Sequence, residues 1–331
     1  MTAKFILGLD YELFFGEKTG SAEHCLIRPV DALLAVLDRY GVKLSLFVDA
    51  GFLLRLRREA QRHAGLGREY ERIARQLREL KALGHDVQLH IHPHWEDCSF
   101  DGGKWRIDTA RYRLQDFSDA EIGRIVNEYK AELMEHVGDT VFAYRAGGWC
   151  IQPFDRLAPA LRAAGIWLDS TLYQNGISRD TLRWFDFRGM PAKPVWRFSQ
   201  DPLVEDAAGD FVEVPISAVA VMPMFFWKMA LQKKLGGAAH RSFGDGAAMQ
   251  ADRGYYLRLL LSPSSSVVSI DGSKAALLES AYRRRRDGTG ERIFNVIGHP
   301  KSLTPHSVRE LDRFLARHRE LESITFQDLK Y

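Results

Sequence analysis

The sequence predicts an α/β fold whose parallel strands close into a barrel. Three observations carry this prediction. Short β-rich runs alternate with amphipathic helical stretches, glycines follow the helical stretches, and polar side chains gather at the C-terminal ends of the runs. The β-rich runs cover residues 4–9, 43–48, 86–90, 141–144, 166–168, 211–216 and 292–297. Apolar residues at three-and-four spacing mark helices over residues 29–40, 69–83, 119–136, 153–164, 274–286 and 305–318. Gly41, Gly84, Gly138 and Gly165 stand behind the first four of these, where a left-handed residue closes a helix.

Such alternation requires parallel strands joined by right-handed crossovers, either as a closed barrel or as an open doubly wound sheet. Asp10, Asp49, His90, Arg145, Asp169 and His299 each fall at or just past the C-terminal end of a different run. A barrel brings all such ends to one face, whereas an open sheet strings them along a line. The barrel is therefore the expectation. No GxGxxG follows the first run and no GxxxxGK[ST] occurs, so a dinucleotide or P-loop site has no local support. Residues 172–291 exceed one strand-helix unit, which predicts one domain over residues 1–331 with insertions within 218–290. Gly236-Gly237 and Ser262-Pro263-Ser264-Ser265-Ser266 are the expected flexible joints.

A chain of 331 residues with 46% hydrophobic and 27% charged residues has the composition of a globular protein with a sizeable core. A net charge of +3 is too mild to argue for nucleic acid, and no nucleic-acid motif accompanies it. Cys25, Cys98 and Cys150 are widely spaced and odd in number, which suggests neither a disulfide framework nor a metal knuckle and fits a reducing, cytoplasmic compartment. Phe5 to Leu9 is too short for a signal segment. No apolar run reaches the ~20 residues of a membrane helix. The stretch Met222 to Met229 reads by default as a buried helix, although its Met and aromatics beside Lys228, Lys233 and Lys234 leave contact with the inner face of a membrane open. Arg283 to Arg286 reads as a solvated helix end.

His90, His92 and His94 lie within five positions, followed by Trp95, and imidazole is the commonest protein ligand for zinc and its neighbours. Alternation puts His90 and His92 on one face of a strand, and Pro93 then turns the chain, so spacing leaves open which rings bind. Asp10 and Glu12 share a side at the end of the first run. One of them completes a His, His, carboxylate site and the other is left to act as base. Two acids on one face of one strand do not suit a glycosidase, whose carboxyls flank the bond about 5 to 9.5 Å apart. Gly147 and Gly148, ahead of Trp149, let the backbone approach a ligand, and Arg145 can hold a nearby carboxylate ionised. His299 is a candidate acid, and Asp49 either a site residue or a helix cap.

The ordered set Asp10-Tyr11-Glu12, His90-Ile91-His92-Pro93-His94, Arg145-Ala146-Gly147-Gly148-Trp149, Asp169 and Ile297-Gly298-His299 resembles the successive motifs of the polysaccharide deacetylase family, also called NodB-like or carbohydrate esterase family 4. The resemblance spans nearly the whole chain, from Phe5 to His299. It implies a distorted (β/α) barrel of about seven strands with a single divalent metal, generally zinc. It implies Asp10 as base, Glu12, His90 and His94 as ligands, and His92 beside the metal or facing substrate. Arg145 would orient the base, Asp169 would tune the catalytic histidine or the arginine, His299 would be the general acid, and Ile297 would line the acyl pocket. Tyr11 between the two acids, Gly147-Gly148-Trp149 in place of a Pro and an aromatic, and Tyr173 loosely in place of a Trp mark a divergent member.

The function so implied is hydrolysis of an N-acyl group, acetyl or formyl, on an amino sugar of a glycan or a lipid-linked glycan precursor. The alternatives are a metal-dependent amidohydrolase acting on a small non-sugar amide or imide, and a catalytically silent barrel that binds a glycan or a partner.

Overall fold

The computed structural model describes residues 3–248, 253–286 and 292–329. Every β-rich run overlaps a strand, most of which end one or two residues beyond it. In chain order the main strands are β1 (Lys4–Tyr11), β2 (Leu44–Asp49), β3 (Asp86–Ile91), β4 (Ala143–Ala146), β5 (Leu168–Asp169), β6 (Trp196–Phe198), β7 (Phe211–Glu213), β8 (Ala218–Val221), β9 (Ser264–Val267) and β10 (Ile293–Gly298), beside two short hairpins, Ser99–Asp101 with Lys104–Arg106 and Ile177–Arg179 with Trp184–Asp186. The helices are α1 (Arg28–Leu37), α2 (Ala50–Ala60), α3 (Ala64–Ala82), α4 (Asp119–Val137), α5 (Ala158–Ala163), α6 (Pro223–Leu235), α7 (Arg253–Leu261), α8 (Leu278–Arg286) and α9 (Pro305–Arg317). The fold is of the distorted (β/α) barrel class that the sequence predicts, a parallel-dominated sheet with helices between most of its parallel strands.

The chain divides into two compact units, Met1–Leu44 with Ile216–Ile324, and Ser45–Pro215 with Thr325–Tyr331. In the first, β1 and β10 pair in parallel through Leu9 and Gly298, and Glu322–Ser323 joins the start of β1. Helix α9 lays Phe314 against Phe5, Phe294 and Tyr282, with ring centroids 6.1, 5.9 and 5.6 Å away. Strands β8 and β9 form an antiparallel pair in this unit, and α6 and α7 lie between them in the chain. The serine-rich segment expected as a joint is thus mostly strand. A ladder needs only backbone donors and acceptors, which serine supplies, and Pro263, which cannot donate, stops one residue short of β9. Gly236 closes α6, and Gly237, at φ 60°, opens a short 3-10 turn.

In the second unit the strand order is β6-β7-β5-β4-β3-β2, parallel at every pairing except β6 with β7. Register aligns Asp49 with His90, and His90 with Arg145. Helix α2, which periodicity does not reveal, starts directly after Asp49. Its first turns bury Ala50 through Leu54 without a polar break, so the run lacks the three-and-four signature.

Helix α4 owes its start to a capping box. The Ser118 hydroxyl accepts from the Glu121 backbone, and Glu121 Oε2 accepts from the Ser118 N–H at 2.9 Å. Ser118→Ala is expected to lower unfolding free energy by about 1 kcal/mol, read from urea midpoints at an unchanged slope. An unchanged midpoint would mean that tertiary packing alone sets the start of α4.

Candidate active site

The first unit brings Asp10, Glu12 and His299 together. β1 and β10 run in parallel and end in step at Leu9 and Gly298, so the next residues of both strands leave the sheet side by side. His299 Nε2 lies 3.6 Å from Asp10 Oδ2 and 3.8 Å from Glu12 Oε1. The opposite edge of its ring is clamped. Asp271 accepts from the His299 backbone N–H at 2.7 Å through Oδ1, and from Nδ1 at 2.7 Å through Oδ2. Burial opposes a charged imidazole, yet Asp271, Asp10 and Glu12 outweigh it and raise the His299 pKa to about 9. The same pairing, against burial, holds Asp271 below its usual range.

Lys301 also enters this group. Its ammonium donates to Glu12 Oε1 at 2.9 Å and to Leu13 O at 2.5 Å, and lies 5.1 and 4.7 Å from the ring centres of Phe14 and Phe15. Ile297 is fully buried within β10, with its backbone bonded to Val268 and Ile270.

The second unit gathers the imidazoles. His90 and His92 meet edge to face with ring centroids 4.7 Å apart, and His92 and His94 at 5.5 Å; all three are buried. His90 Nδ1 donates to the carbonyl of Arg145 at 2.8 Å, so in the neutral ring the lone pair belongs to Nε2. His94 stacks on Tyr112, whose ring also abuts His92. Trp95 donates Nε1–H to Asp49 Oδ2 at 2.6 Å. The Asp49 side chain makes no helix cap, although Asp49 holds the N-cap position of α2.

Gly147 is required where it stands, because a Cβ there would lie 2.5 Å from Ile91 O and 2.7 Å from His92 Nδ1. Gly148, at φ 60°, passes close under the Tyr112 hydroxyl. Trp149 is itself left-handed at φ 61°, half-buried, and lies 5.6 and 6.1 Å from Tyr173 and Phe185 between ring centres.

Arg145 donates to Ser170 through Nε (2.6 Å, to the carbonyl) and Nη2 (3.0 Å, to the hydroxyl), and its guanidinium lies 3.9 Å from the ring centre of Phe47. Asp169 accepts from the Thr171 hydroxyl at 2.8 Å and from its N–H at 2.9 Å, while that hydroxyl accepts from the Ala146 N–H. Register sets Asp169 beside Glu213. Burial raises both carboxyls, and the neighbouring Asp169 charge pushes Glu213 up further. The sequence expectation gave Asp169 either the histidine or the arginine. Its neighbours are Glu213, Thr171 and the charge of Arg145, and the carboxylate on His299 Nδ1 is Asp271.

Asp271, Lys301, Glu213 and Tyr112 are the contributors that sequence reasoning passes over. Glu213 carried a visible signal, a lone acid inside an apolar β run. Cys25, Cys98 and Cys150 are buried free thiols.

No family model and no curated protein matches the chain. Solved structures do. A Puue allantoinase matches at 13% identity over 98% of this chain and 88% of its own, with a TM-score of 0.49. The polysaccharide deacetylase Bc1974 from Bacillus cereus matches at 11% identity over 99% and 94%, TM-score 0.42. A family 4 carbohydrate esterase from Streptomyces lividans, solved with acetate, matches at 12% over 97% and 91%, TM-score 0.40.

The buried carboxyl pair makes a pH test. Glu213 has a folded pKa above its ordinary value of 4.5, so stability is full below that value and is lost as pH rises through the folded pKa. Glutamine keeps a donor toward Asp169 beside Arg145 and Tyr144 but does not titrate. The stability of Glu213→Gln relative to wild type is expected to grow with pH above 4.5, followed by urea midpoints. A constant difference across pH would remove the proton from Glu213.

Proposed function

We propose that the chain is a metal-dependent hydrolase that removes an N-acyl group, acetyl or formyl, from an amino sugar of a glycan or glycan precursor. The observation that carries this reading is the buried pair His90 and His92, edge to face with ring centroids 4.7 Å apart, and the ligand set proposed on it adds the buried carboxylate of Glu12. Two imidazoles and a carboxylate are the set with which catalytic zinc keeps a position open. The family resemblance instead joins Glu12 and His90 to His94. Both sets retain His90, and its bond to the Arg145 carbonyl is the kind of outer contact that fixes a ligating ring.

When bound, a divalent ion supplies Lewis acidity to the acyl carbonyl and to water. The chain's own groups do the rest. Asp10 takes the proton of the attacking water. His299, protonated at both nitrogens and held by Asp271, gives its Nε2 proton to the departing amine, which leaves poorly without it. Arg145 is a positioning residue, aiming His90 through its carbonyl, and Asp169 supports the same strand end through Thr171 and the Ala146 N–H. Trp149, with Tyr173 and Phe185 behind it, offers an aromatic surface suited to the apolar face of a sugar ring. Gly147 and Gly148 keep the backbone beside His92 narrow enough for substrate to approach.

Metal content and acyl release, measured on the same samples, test the reading. His90→Ala is expected to lose the metal. His92→Ala and His94→Ala decide between the two ligand sets, since only the true ligand strips the ion. Asp10→Asn should keep the metal and lose turnover, and His299→Ala should lose roughly 10²- to 10⁴-fold. A fully metallated protein that releases neither acetate nor formate from any acylated amino sugar would overturn the proposal.

A further inference from the structure

We propose that α6 and α7 form a docking surface for an anionic membrane, resting on the lipid headgroups without crossing the bilayer. Met224, Trp227, Leu231 and Leu235 of α6 are 79, 57, 57 and 71% exposed. Their spacing of three, four and four sets them in one stripe along the helix. Phe226 lies off this stripe and is buried, so the helix is already seated by another face. Leu257 and Leu261 of α7, four apart, are also exposed. Trp227 Nε1 donates to Leu260 O at 3.1 Å, which ties the two helices together.

Charge selects the occupant. Neither helix contains an Asp or Glu, whereas Lys228, Lys233, Lys234 and Arg258 are exposed beside the apolar positions. A second copy of the same surface would set these cations against one another. An anionic headgroup layer neutralises them while Leu and Met enter the acyl boundary, Trp lies at its interfacial level and lysine stems snorkel. Among the described residues no helix is long and apolar enough to cross a membrane, so the contact is peripheral.

The test is independent of the hydrolase reading. The full chain is sedimented with vesicles of phosphatidylcholine alone and of phosphatidylcholine with phosphatidylglycerol. Binding is expected on the anionic vesicles only, weakening with salt. Leu231→Asp with Leu235→Asp should abolish it. Lys228→Glu, Lys233→Glu and Lys234→Glu together should weaken partitioning on the order of a hundredfold, with circular dichroism unchanged in both variants. The proposal is overturned if the wild-type chain stays in the supernatant with both vesicles, or if both folded variants bind as wild type does. It is equally overturned if gel filtration shows a dimer that Leu231→Asp with Leu235→Asp splits while vesicle binding is absent.

Discussion

An ionisable group taken out of water must find a partner or give up its charge, because the effective penalty in a protein interior is several kcal/mol per ion. This chain buries Asp10, Glu12, Asp49, Arg145, Asp169 and Glu213, and three adjacent histidines besides. Each solution that the side chains find is also a constraint on geometry. Asp49 is held by the Trp95 indole, and Arg145 by Ser170 and the face of Phe47. Glu213 and Asp169 lie side by side, and burial raises both, which opposes a second charge there. Asp271 takes both the backbone and the ring of His299. The hydrogen bonds that offset desolvation are therefore the same ones that orient the candidate catalytic groups, and loosening one would cost stability and geometry together.

Backbone register does the coarse placement. Parallel strands that end in step deliver consecutive polar residues to one edge, as β1 and β10 do for Asp10 and His299. In the second unit the alignment of Asp49, His90 and Arg145 comes from two ladders, and no side chain is needed to set it. Side-chain hydrogen bonds then act over the last ångström.

Much of this was legible in the sequence because strand-end polarity is a periodic signal. β1, β3, β4 and β10 announce themselves, and so do Asp10, His90, Arg145 and His299 at their ends. The partners of those residues were not legible. Asp271 stands before a 3-10 turn, in a segment that meets Ile297 through one isolated bridge at Ser269, and no repeat in the sequence points to it. Lys301 follows His299 by two residues, in a turn where a lysine reads as solvated. Asp169 was visible but its partner was not, since the ladder aligns it with Tyr144 and Glu213, one position out of phase with Arg145. α2 was hidden by its own burial, and the exposed stripe of α6 by the general rule that Met and aromatics belong inside.

In the proposed mechanism, His90 and His299 give one kind of side chain two tasks. Both donate Nδ1–H at nearly the same distance, 2.8 and 2.7 Å, and both thereby direct Nε2. The acceptors differ. The carbonyl of Arg145 orients the ring of His90 without adding a negative charge, which suits an imidazole that must offer a lone pair to a cation. The carboxylate of Asp271 adds a full charge beside His299, with Asp10 and Glu12 on the other side, and so holds the imidazolium with a proton ready at Nε2. The identity of one acceptor atom, oxygen of an amide or oxygen of a carboxylate, separates a ring suited to ligation from a ring suited to proton donation.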